Sequence, residues 1–327
     1  MFLLDKWGRV HDYLRLSLTD KCNLRCTYCL PKDPRFFPNQ KLLTKDELVQ
    51  LATLFVEAFG IKKIRFTGGE PLLRKDAGEI IQEIAKLPVK LNITTNGIFL
   101  DRYLDLFQEI GLTSLNISLD TLDRAKFNQI TLRDEYDKVM TNIDLALSKG
   151  FRIKVNAVAI KGFNDQEVVD FVAWTKVLPI HVRFIEFMPF NGNEWQWEKV
   201  VPYQELLQQV EALHPVEKLN DAPTSTTKSY RVKGYAGTFA FITTVSQPFC
   251  QGCNRIRLTA DGKLRNCLFA RGEFDLKTPL REGKDVKALI QEAILAKHKE
   301  RGGLPEEWFD ESFIKDLSDR SMTAIGG

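Results

Sequence analysis

The sequence predicts an α/β fold, an incomplete barrel of six β/α units whose open side is covered by a C-terminal region. From Leu14 to about Phe187, short β-rich runs alternate with turn residues and helix-period segments, a pattern that indicates a parallel sheet. A closed eight-unit barrel needs about 250 residues, so six units leave one side open. The alternation stops at Met188, which divides the chain into a barrel over 1–187 and a C-terminal region over 188–327.

The elements of the barrel follow in chain order. The first strand is predicted from Leu14 to Leu18, where apolar and polar residues alternate. The first helix begins at Thr44, which forms a capping-box pattern with Glu47, and runs to Gly60. The other strands are predicted over 63–67, 90–94, 114–119, 152–159 and 181–187. In the C-terminal region we expect a polar loop over 220–228, a β-hairpin arm over 235–244 and helices from about residue 285.

The overall composition is that of an ordinary globular protein. The chain is 44% hydrophobic and 27% charged, and its net charge of +3 is too small to indicate nucleic-acid binding. Its apolar runs are too short to span a membrane and no signal peptide is evident, so we expect a cytoplasmic protein without membrane contact. In that setting the six cysteines indicate metal or redox sites rather than disulfides.

Three cysteines lie in one loop directly after the first strand. Cys22, Cys26 and Cys29 have the spacing C-x3-C-x2-C, which supplies one thiolate fewer than a closed zinc site or a fully ligated iron–sulfur cluster needs. A cluster held in this way keeps one iron open to a substrate or cofactor. The structural alternative is a zinc site with a distant fourth ligand.

The other three cysteines, Cys250, Cys253 and Cys267, form a second set with no obvious fourth ligand. Two open sets indicate two clusters. Arg255 and Arg257 lie beside the second set on a β-like run, and arginine binds phosphate and planar acceptors well. A zinc ribbon that lacks one ligand remains an alternative for this set.

Four predicted strands carry a cation between apolar residues, at Arg15, Arg65, Lys154 and Arg183. An unpaired charge inside a barrel is costly, so we expect these cations to share a lumen that binds a polyanion. Alternatively, some of them point outward and extend between the helices. Thr94, at the end of the third strand, adds a hydroxyl group to the same rim.

The first cysteine loop resembles the signature of the radical S-adenosylmethionine (SAM) superfamily, in which three thiolates bind a 4Fe-4S cluster and the open iron chelates SAM. The motif from Gly68 to Pro71 resembles that family's GGEP motif, although Pro71 would equally suit the start of a helix. The resemblance assigns SAM contacts to Tyr28, Gly68, Gly69, Glu70, Ser118 and Met188.

The second cysteine set narrows the resemblance. Residues 250–268 have the pattern C-x2-C-N-R-x-R-L-T-A-D-G-K-L-R-x-C-L, which resembles the GTP cyclases of molybdenum cofactor biosynthesis, a family within this superfamily. The terminal Gly326 and Gly327 match that family's double-glycine tail, and the resemblance covers essentially the whole chain. One departure is Leu30, beside the first cysteine set, where the family usually has Met.

The resemblance implies two 4Fe-4S clusters, SAM as cofactor and GTP as substrate. A radical derived from SAM would abstract the ribose C3′ hydrogen of GTP, and the resulting carbon radical would attack C8 of guanine. Reduction and a proton would then give 3′,8-cyclo-7,8-dihydro-GTP. GTP contacts are implied for Arg15, Arg65, Thr94, Lys154, Arg183, Arg255 and Arg257, with the guanine at the second cluster. Catalytic roles are implied for Arg255, Arg257, Gly326 and Gly327.

The resemblance also implies partners. These are an electron donor of the flavodoxin or ferredoxin type and a functional link to cyclic pyranopterin monophosphate synthase, which uses the product; a homodimer is possible. Two alternatives stay open. A radical SAM peptide maturase with a C-terminal auxiliary cluster usually has more C-terminal cysteines than the three in this chain. A non-enzymatic, metal-stabilised binding module would not explain cations inside strands.

Overall fold

The computed structural model describes residues 2–304 and 320–327. Within these ranges the strands are β1 (Tyr13–Ser17), β2 (Lys63–Thr67), β3 (Lys90–Thr95), β4 (Ser114–Ser118), β5 (Arg152–Ala159), β6 (His181–Glu186), β7 (Val216–Lys218), β8 (Lys228–Val232), β9 (Thr238–Ile242), β10 (Arg255–Leu258), β11 (Lys263–Arg265) and β12 (Phe274–Asp275). They form one 12-stranded sheet in the order β12-β11-β10-β1-β2-β3-β4-β5-β6-β9-β8-β7.

The helices of the described ranges connect these strands or follow them. They are α1 (Lys45–Glu57), α2 (Ala77–Ala85), α3 (Leu104–Glu109), α4 (Arg124–Thr131), α5 (Tyr136–Ser148), α6 (Val168–Trp174), α7 (Tyr203–Glu211), α8 (Lys277–Arg281), α9 (Lys287–Leu295) and α10 (Met322–Ile325). None of the helices in these ranges combines the length and apolar character that crossing a lipid bilayer requires.

The six predicted parallel strands are confirmed, and each strand pairs with its neighbour in chain order from β1 to β6. The predicted start of α1 is also confirmed, because Thr44 and Glu47 form a complete capping box. The helix ends at Glu57 rather than at Gly60, which takes a φ of +68° that continues no helix. Of the helices predicted from about residue 285, α9 begins at Lys287, and residues 305–319 lie outside the described ranges.

The C-terminal region does more than cover the open side, since it continues the parallel sheet at both edges. Strand β9 pairs in parallel with β6, and β10 pairs in parallel with β1. The hairpin predicted over 235–244 is displaced: its strands are β8 and β9, and the turn between them contains Gly234 with a φ of +85°. The division of the chain at residue 187 into two domains stays a prediction.

Alternation along the strands places apolar side chains against the helices and cations in the lumen. Leu14 and Leu16 of β1 are fully buried in the main hydrophobic core, and Arg15 between them faces the opposite side of the sheet. The register aligns Arg15 with Arg65 of β2 and with Arg257 of β10. Three arginines on neighbouring strands therefore lie side by side along the lumen.

The parallel pairing of β10 with β1 also separates the two cysteine sets. Cys22 follows the carboxyl end of β1, whereas Cys253 precedes the amino end of β10. Because the two strands run in the same direction, the two sets lie at opposite ends of the sheet. A strand of five residues spans roughly 13–17 Å, so a small molecule fits between them.

Candidate functional site

One cavity of about 740 Å³ runs through the lumen and reaches both cysteine sets. Of the predicted site residues, its lining includes Arg15, Cys22, Cys26, Tyr28, Cys29, Arg65, Gly68, Gly69, Thr94, Ser118, Lys154, Arg183, Met188, Cys250, Cys253, Arg255, Arg257, Cys267 and Gly327. Glu70 and Gly326 are not part of the lining, but each is next in sequence to a lining residue, Gly69 and Gly327 respectively. The four strand cations thus face the lumen, and the alternative in which they point outward is wrong for this structure.

Two glycines hold the first cysteine loop against the exit of β2. A Cβ atom on Gly68 would lie 2.4 Å from the Thr19 carbonyl oxygen, and one on Gly69 would lie 2.4 Å from the Lys21 carbonyl oxygen. The Gly69 amide donates to the Thr19 carbonyl at 2.8 Å. Any side chain at either glycine would push the cysteine loop away from the cavity.

Glu70 is a buried carboxylate whose hydrogen bonds remain within the protein. It accepts from the Leu72 amide at 3.0 Å, the Thr95 hydroxyl at 2.8 Å and the Asn96 amide at 2.7 Å. Burial raises the pKa of Glu70 to about 7. It caps a short 3₁₀ turn that begins at Pro71, so the helix-start interpretation of this motif is confirmed, and the role of Glu70 towards SAM stays a prediction.

Asp120 is an acidic residue of the cavity wall that sequence reasoning missed. It accepts a hydrogen bond from the Val158 amide at 2.8 Å and pairs with the Tyr28 hydroxyl. Burial raises the pKa of Asp120 to about 6. The sequence signal for Asp120 was its position two residues after β4. This places it at the carboxyl ends of the parallel strands, together with the loops that follow β1 and β2.

The first cysteine set lies among these acidic groups. Burial, followed by the charge of Glu70, raises the pKa of Cys22 to about 12. Burial and Asp120 raise the pKa of Cys26 well above its usual value. The Asn96 side-chain amide faces the Cys22 sulfur at 3.9 Å, close to the limit for such a contact. This end of the cavity therefore has no cation in direct contact with a sulfur among the described residues.

The middle of the cavity is strongly basic. Burial and the neighbouring cations lower the pKa of Arg183 to about 9 and that of Lys154 to about 8. Burial alone would raise the pKa of Tyr13, but the charges of Arg65 and Arg15 lower it. Lys63, which sequence reasoning missed, lines the same wall and has a lowered pKa through burial. The arrangement is electrostatically costly unless an anion enters it.

Several guanidinium donors of this wall lack an acceptor among the described residues. They are Nε of Arg15, Arg65 and Arg183 and one Nη atom of Arg255, all of them buried. Asn116, also missed from sequence, offers a partial counterpart: with its amide oxygen turned towards the arginines, it accepts from Arg183 at 2.8 Å and from Arg65. One neutral amide does not offset this charge, so the wall has the donor chemistry of a phosphate site.

The second cysteine set has cationic side chains close to its sulfurs. The Lys297 ammonium lies 3.5 Å from the Cys253 sulfur, and the Arg301 amide donates to the Cys250 sulfur at 3.4 Å. Burial would raise the pKa of Cys253, but Lys297 and Arg255 lower it to about 6. Nitrogen donors commonly form hydrogen bonds to the cysteine sulfurs that hold an iron–sulfur cluster.

The C-terminal tail ends inside the site. Arg257 donates to the carbonyl oxygens of Gly326 at 3.0 Å and of Gly327 at 3.4 Å. Gly326 has a φ of +89°, and a Cβ atom there would lie 2.9 Å from Cβ of Ser17. Upstream, Arg320 anchors the tail through two hydrogen bonds to the Asp261 carboxylate, at 2.9 and 2.8 Å.

The described residues contain no group of three or more His, Cys, Asp or Glu side chains arranged to hold a single metal ion. The donor set of the first loop nevertheless fits an iron–sulfur cluster, because its three thiols line the same cavity wall and thiolates are the ligands of such clusters. Cys22, Cys26 and Cys29 would hold that cluster, and the glycine contacts described above keep their loop in place.

Comparison with known proteins identifies two matched regions. Residues 16–175 match the model of the radical SAM superfamily, and residues 180–302 match that of molybdenum cofactor synthesis C. The chain is 47% identical to the mitochondrial GTP 3′,8-cyclase of Arabidopsis thaliana, over 99% of this chain and 83% of that protein. It is 42% identical to the GTP 3′,8-cyclase of Listeria welshimeri, over 99% of both chains.

Animal relatives are longer. The chain is 44% identical to molybdenum cofactor biosynthesis protein 1 of Mus musculus, over 99% of this chain and 51% of that protein. The chain therefore spans about half the length of that relative. Among solved structures, Streptococcus suis SuiB aligns with a TM-score of 0.63 at 16% identity, over 92% of this chain and 69% of that chain, a likeness that shows a shared fold.

Proposed function

Because this chain belongs to the radical SAM superfamily and, within it, to the GTP 3′,8-cyclase family, we propose that it joins C3′ of the ribose of GTP to C8 of the guanine. The product would be 3′,8-cyclo-7,8-dihydro-GTP, in the first step of molybdenum cofactor biosynthesis. The iron–sulfur cluster and SAM, when bound, supply the carbon radical that removes the hydrogen.

The observation that carries this proposal is the basic wall between the two cysteine sets. Arg15, Arg65, Lys154 and Arg183 project into one lumen, and buried guanidinium donors there have no acceptor in the part of the chain that the structure describes. A triphosphate supplies several charged acceptors at once, and each charge-assisted hydrogen bond contributes about 1.5–3 kcal/mol. Thr94, whose hydroxyl lies 3.4 Å from an Arg65 nitrogen, would add a neutral contact.

The chain's own residues would then orient the substrate. A triphosphate held by the strand cations would place the ribose between the two cysteine sets, in the same cavity. Tyr28, Ser118 and Met188 line the cavity near that set and would contact SAM. Gly68 and Gly69 would let SAM approach the backbone closely.

We also propose that Cys250, Cys253 and Cys267 hold a second 4Fe-4S cluster, at which the guanine binds. This is supported by the three cysteines sharing one cavity wall and by nitrogen donors that face two of the sulfurs. Arg255 and Arg257 would contact the same substrate, and Arg257 would keep Gly326 and Gly327 beside it. A tail without side chains can lie next to two ligands without blocking either.

The remaining partners follow from the proposed reaction. The chain would receive electrons from a flavodoxin or ferredoxin type of protein, and its product would pass to cyclic pyranopterin monophosphate synthase. Cytoplasmic localisation, a homodimer and the absence of nucleic-acid and membrane partners stay predictions. The other candidate function is that of a radical SAM peptide maturase. The match of residues 180–302 to the molybdenum cofactor synthesis C model favours a nucleotide substrate over a peptide.

The test is an anaerobic assay of the reconstituted chain with SAM, a chemical reductant and GTP. Mass spectrometry should detect 3′,8-cyclo-7,8-dihydro-GTP together with one 5′-deoxyadenosine for each product formed. Use of GTP deuterated at C3′ should transfer deuterium into the 5′-deoxyadenosine. SAM cleavage that is unaffected by GTP, with no label transferred, would contradict the proposed substrate.

A further inference from the structure

A buried polar network behind the second cysteine set is not explained by substrate binding. Lys297 is 2% exposed, His11 is fully buried and Asp5 is 3% exposed, and none of them lines the cavity. A buried lysine is costly unless all its donors are satisfied. The network therefore needs a role other than contact with GTP.

The ammonium of Lys297 has three N–H donors and three acceptors. It lies 3.0 Å from the Arg255 carbonyl oxygen, 3.5 Å from Nδ1 of His11 and 3.5 Å from the Cys253 sulfur. Two of these partners are neutral groups of the protein, and the third is a cysteine that the proposed function makes a cluster ligand. All three N–H groups of the Lys297 ammonium therefore form hydrogen bonds only if the Cys253 sulfur accepts one of them.

His11 is fixed as an acceptor by the residue behind it. Its Nε2 atom lies 3.0 Å from the Asp5 carboxylate, and burial lowers the pKa of His11 to about 4, so the ring is neutral at pH 7. A neutral ring that donates from Nε2 presents a lone pair at Nδ1, which faces Lys297. His11 and Asp5 thus orient the Lys297 ammonium from the side opposite to Cys253.

Hydrogen bonds from the turn over residues 5–9 connect this network to Cys250 and to the backbone of Lys297. Asp5 accepts from Arg9 at 2.6 Å, and Arg9 donates to the Cys250 carbonyl oxygen at 2.8 Å. The Trp7 indole donates to the Lys297 carbonyl oxygen at 2.9 Å. Asp5 thereby balances Arg9, and within the described ranges no carboxylate forms an ion pair with Lys297. The negative sulfur of a bound cluster is the natural counter-charge.

We propose that Lys297 is a positioning residue that donates a hydrogen bond to the Cys253 sulfur and raises the reduction potential of the cluster held by the second cysteine set, with His11 and Asp5 fixing its direction. This inference rests on the proposed function, because it requires that cluster. Hydrogen bonds to cluster sulfurs and local positive charge both favour the reduced, more negative state. Among the described residues no cation donates a hydrogen bond to a sulfur of the first set, where the Asn96 amide faces Cys22. The two clusters would therefore differ in potential.

The test is a redox titration of the full chain followed by electron paramagnetic resonance. Replacing Cys22, Cys26 and Cys29 with alanine leaves only the second set to give a signal. In this parent, Lys297→Met should lower the midpoint potential, because it removes both the donor and the charge, whereas Lys297→Arg should lie closer to the parent. Lys299→Met is the matched control, since it removes an exposed charge two residues away and should leave the potential unchanged.

The iron content separates the possible failures. A parent with no iron at the second set would contradict the second cluster and this inference together. If the parent holds the cluster and Lys297→Met shifts the potential no more than Lys299→Met, the inference is wrong and the proposed function stands. If Lys297→Met loses iron, Lys297→Gln replaces it: a potential below that of the parent supports the inference, and an unchanged potential overturns it.

Discussion

The two cysteine sets lie at opposite ends of one cavity and differ in the charge around them. The first set is close to Glu70 and Asp120, and its thiols have raised pKa values. The second set is close to Lys297 and Arg255, and the pKa of Cys253 is lowered to about 6. SAM is a cation with an additional ammonium group and GTP is a polyanion, so the two ends are suited to different ligands.

This difference has a cause in the fold. The first set follows β1, where parallel strands present their carboxyl ends, and the acidic residues come from the loops after β2 and β4. In the second set, Cys250 and Cys253 precede β10 and Cys267 follows β11, the antiparallel neighbour of β10. All three therefore lie at the opposite end of the strands, next to strand residues that carry cations. The opposite charges at the two ends of the cavity therefore follow from the shared direction of β1 and β10.

The largest expected effect comes from removing the cluster ligands. Changing Cys22, Cys26 or Cys29 to alanine should abolish SAM cleavage, measured as 5′-deoxyadenosine formed under anaerobic conditions. The unchanged chain should contain about eight irons, since each 4Fe-4S cluster has four. Zinc without sulfide after reconstitution would favour the zinc-site alternative and contradict the comparison between two clusters.

Removal of the lumen cations should produce the next largest effect. Arg65→Ala, Lys154→Ala and Arg183→Ala should each weaken GTP binding about 10- to 150-fold, equivalent to the 1.5–3 kcal/mol of one charge-assisted contact. SAM binding should change little. Arg152→Ala is the matched control, because Arg152 lies on the same strand as Lys154 but is exposed and outside this cavity. Equal GTP affinity in all four variants would contradict an anion-binding site in the lumen.

A smaller and more selective effect is expected from the tail. Deleting Gly326 and Gly327 removes the groups that Arg257 holds, and should cut the cyclisation rate about tenfold or more, or at least about 1.4 kcal/mol in barrier height. Cluster content and SAM cleavage should stay near those of the unchanged chain. Gly326→Ala should act in the same direction, because its φ of +89° and the contact with Ser17 leave no room for a Cβ atom.

Full cyclisation by the truncated chain would show that the tail only fills space. Arg320→Met provides an independent check, since it removes the anchor on Asp261 but leaves both glycines. In the full chain this change should slow cyclisation. In the truncated chain it should have no additional effect if Arg320 acts through the tail.

The smallest expected effect is a dependence of GTP binding on pH. Burial and neighbouring cations lower the pKa of Lys154 to about 8, so this residue loses its charge as the pH rises through 8. Only the charged form attracts a triphosphate, so affinity should be highest below pH 8 and fall a few-fold towards pH 9. Lys154→Arg should keep its charge and flatten this profile, measured by equilibrium binding. A wild-type affinity that is constant over this range would contradict a phosphate contact by Lys154.

Local patterns predicted much of the fold, because strands and helix caps depend on neighbouring residues. The alternation around Leu14 and the capping pair at Thr44 needed no tertiary information. The pairing of β10 with β1 could not be predicted, since these strands lie far apart in the sequence and a three- or four-residue run does not specify its partner. The opposite placement of the two cysteine sets was therefore missed.

The same limit applies to the site. Cysteine spacing and cations inside strands identified residues whose chemistry is unusual at their positions. Asn116 and Lys297 carry no local signal, and Asp120 is marked only by its position after β4. The roles of all three depend on contacts with strands and loops distant in sequence. Two of the three hydrogen bonds that Glu70 accepts likewise come from the end of β3, which sequence spacing does not place beside it.

The most direct test of the two-ended cavity is to measure SAM and GTP binding in parallel on two triple variants. One lacks Cys22, Cys26 and Cys29, and the other lacks Cys250, Cys253 and Cys267, each replaced by alanine and reconstituted anaerobically. We expect the first to lose SAM binding and retain GTP binding, and the second to lose much of its GTP affinity and retain SAM. Loss of both ligands in both variants, with the folded state intact, would contradict the assignment of one end to each ligand.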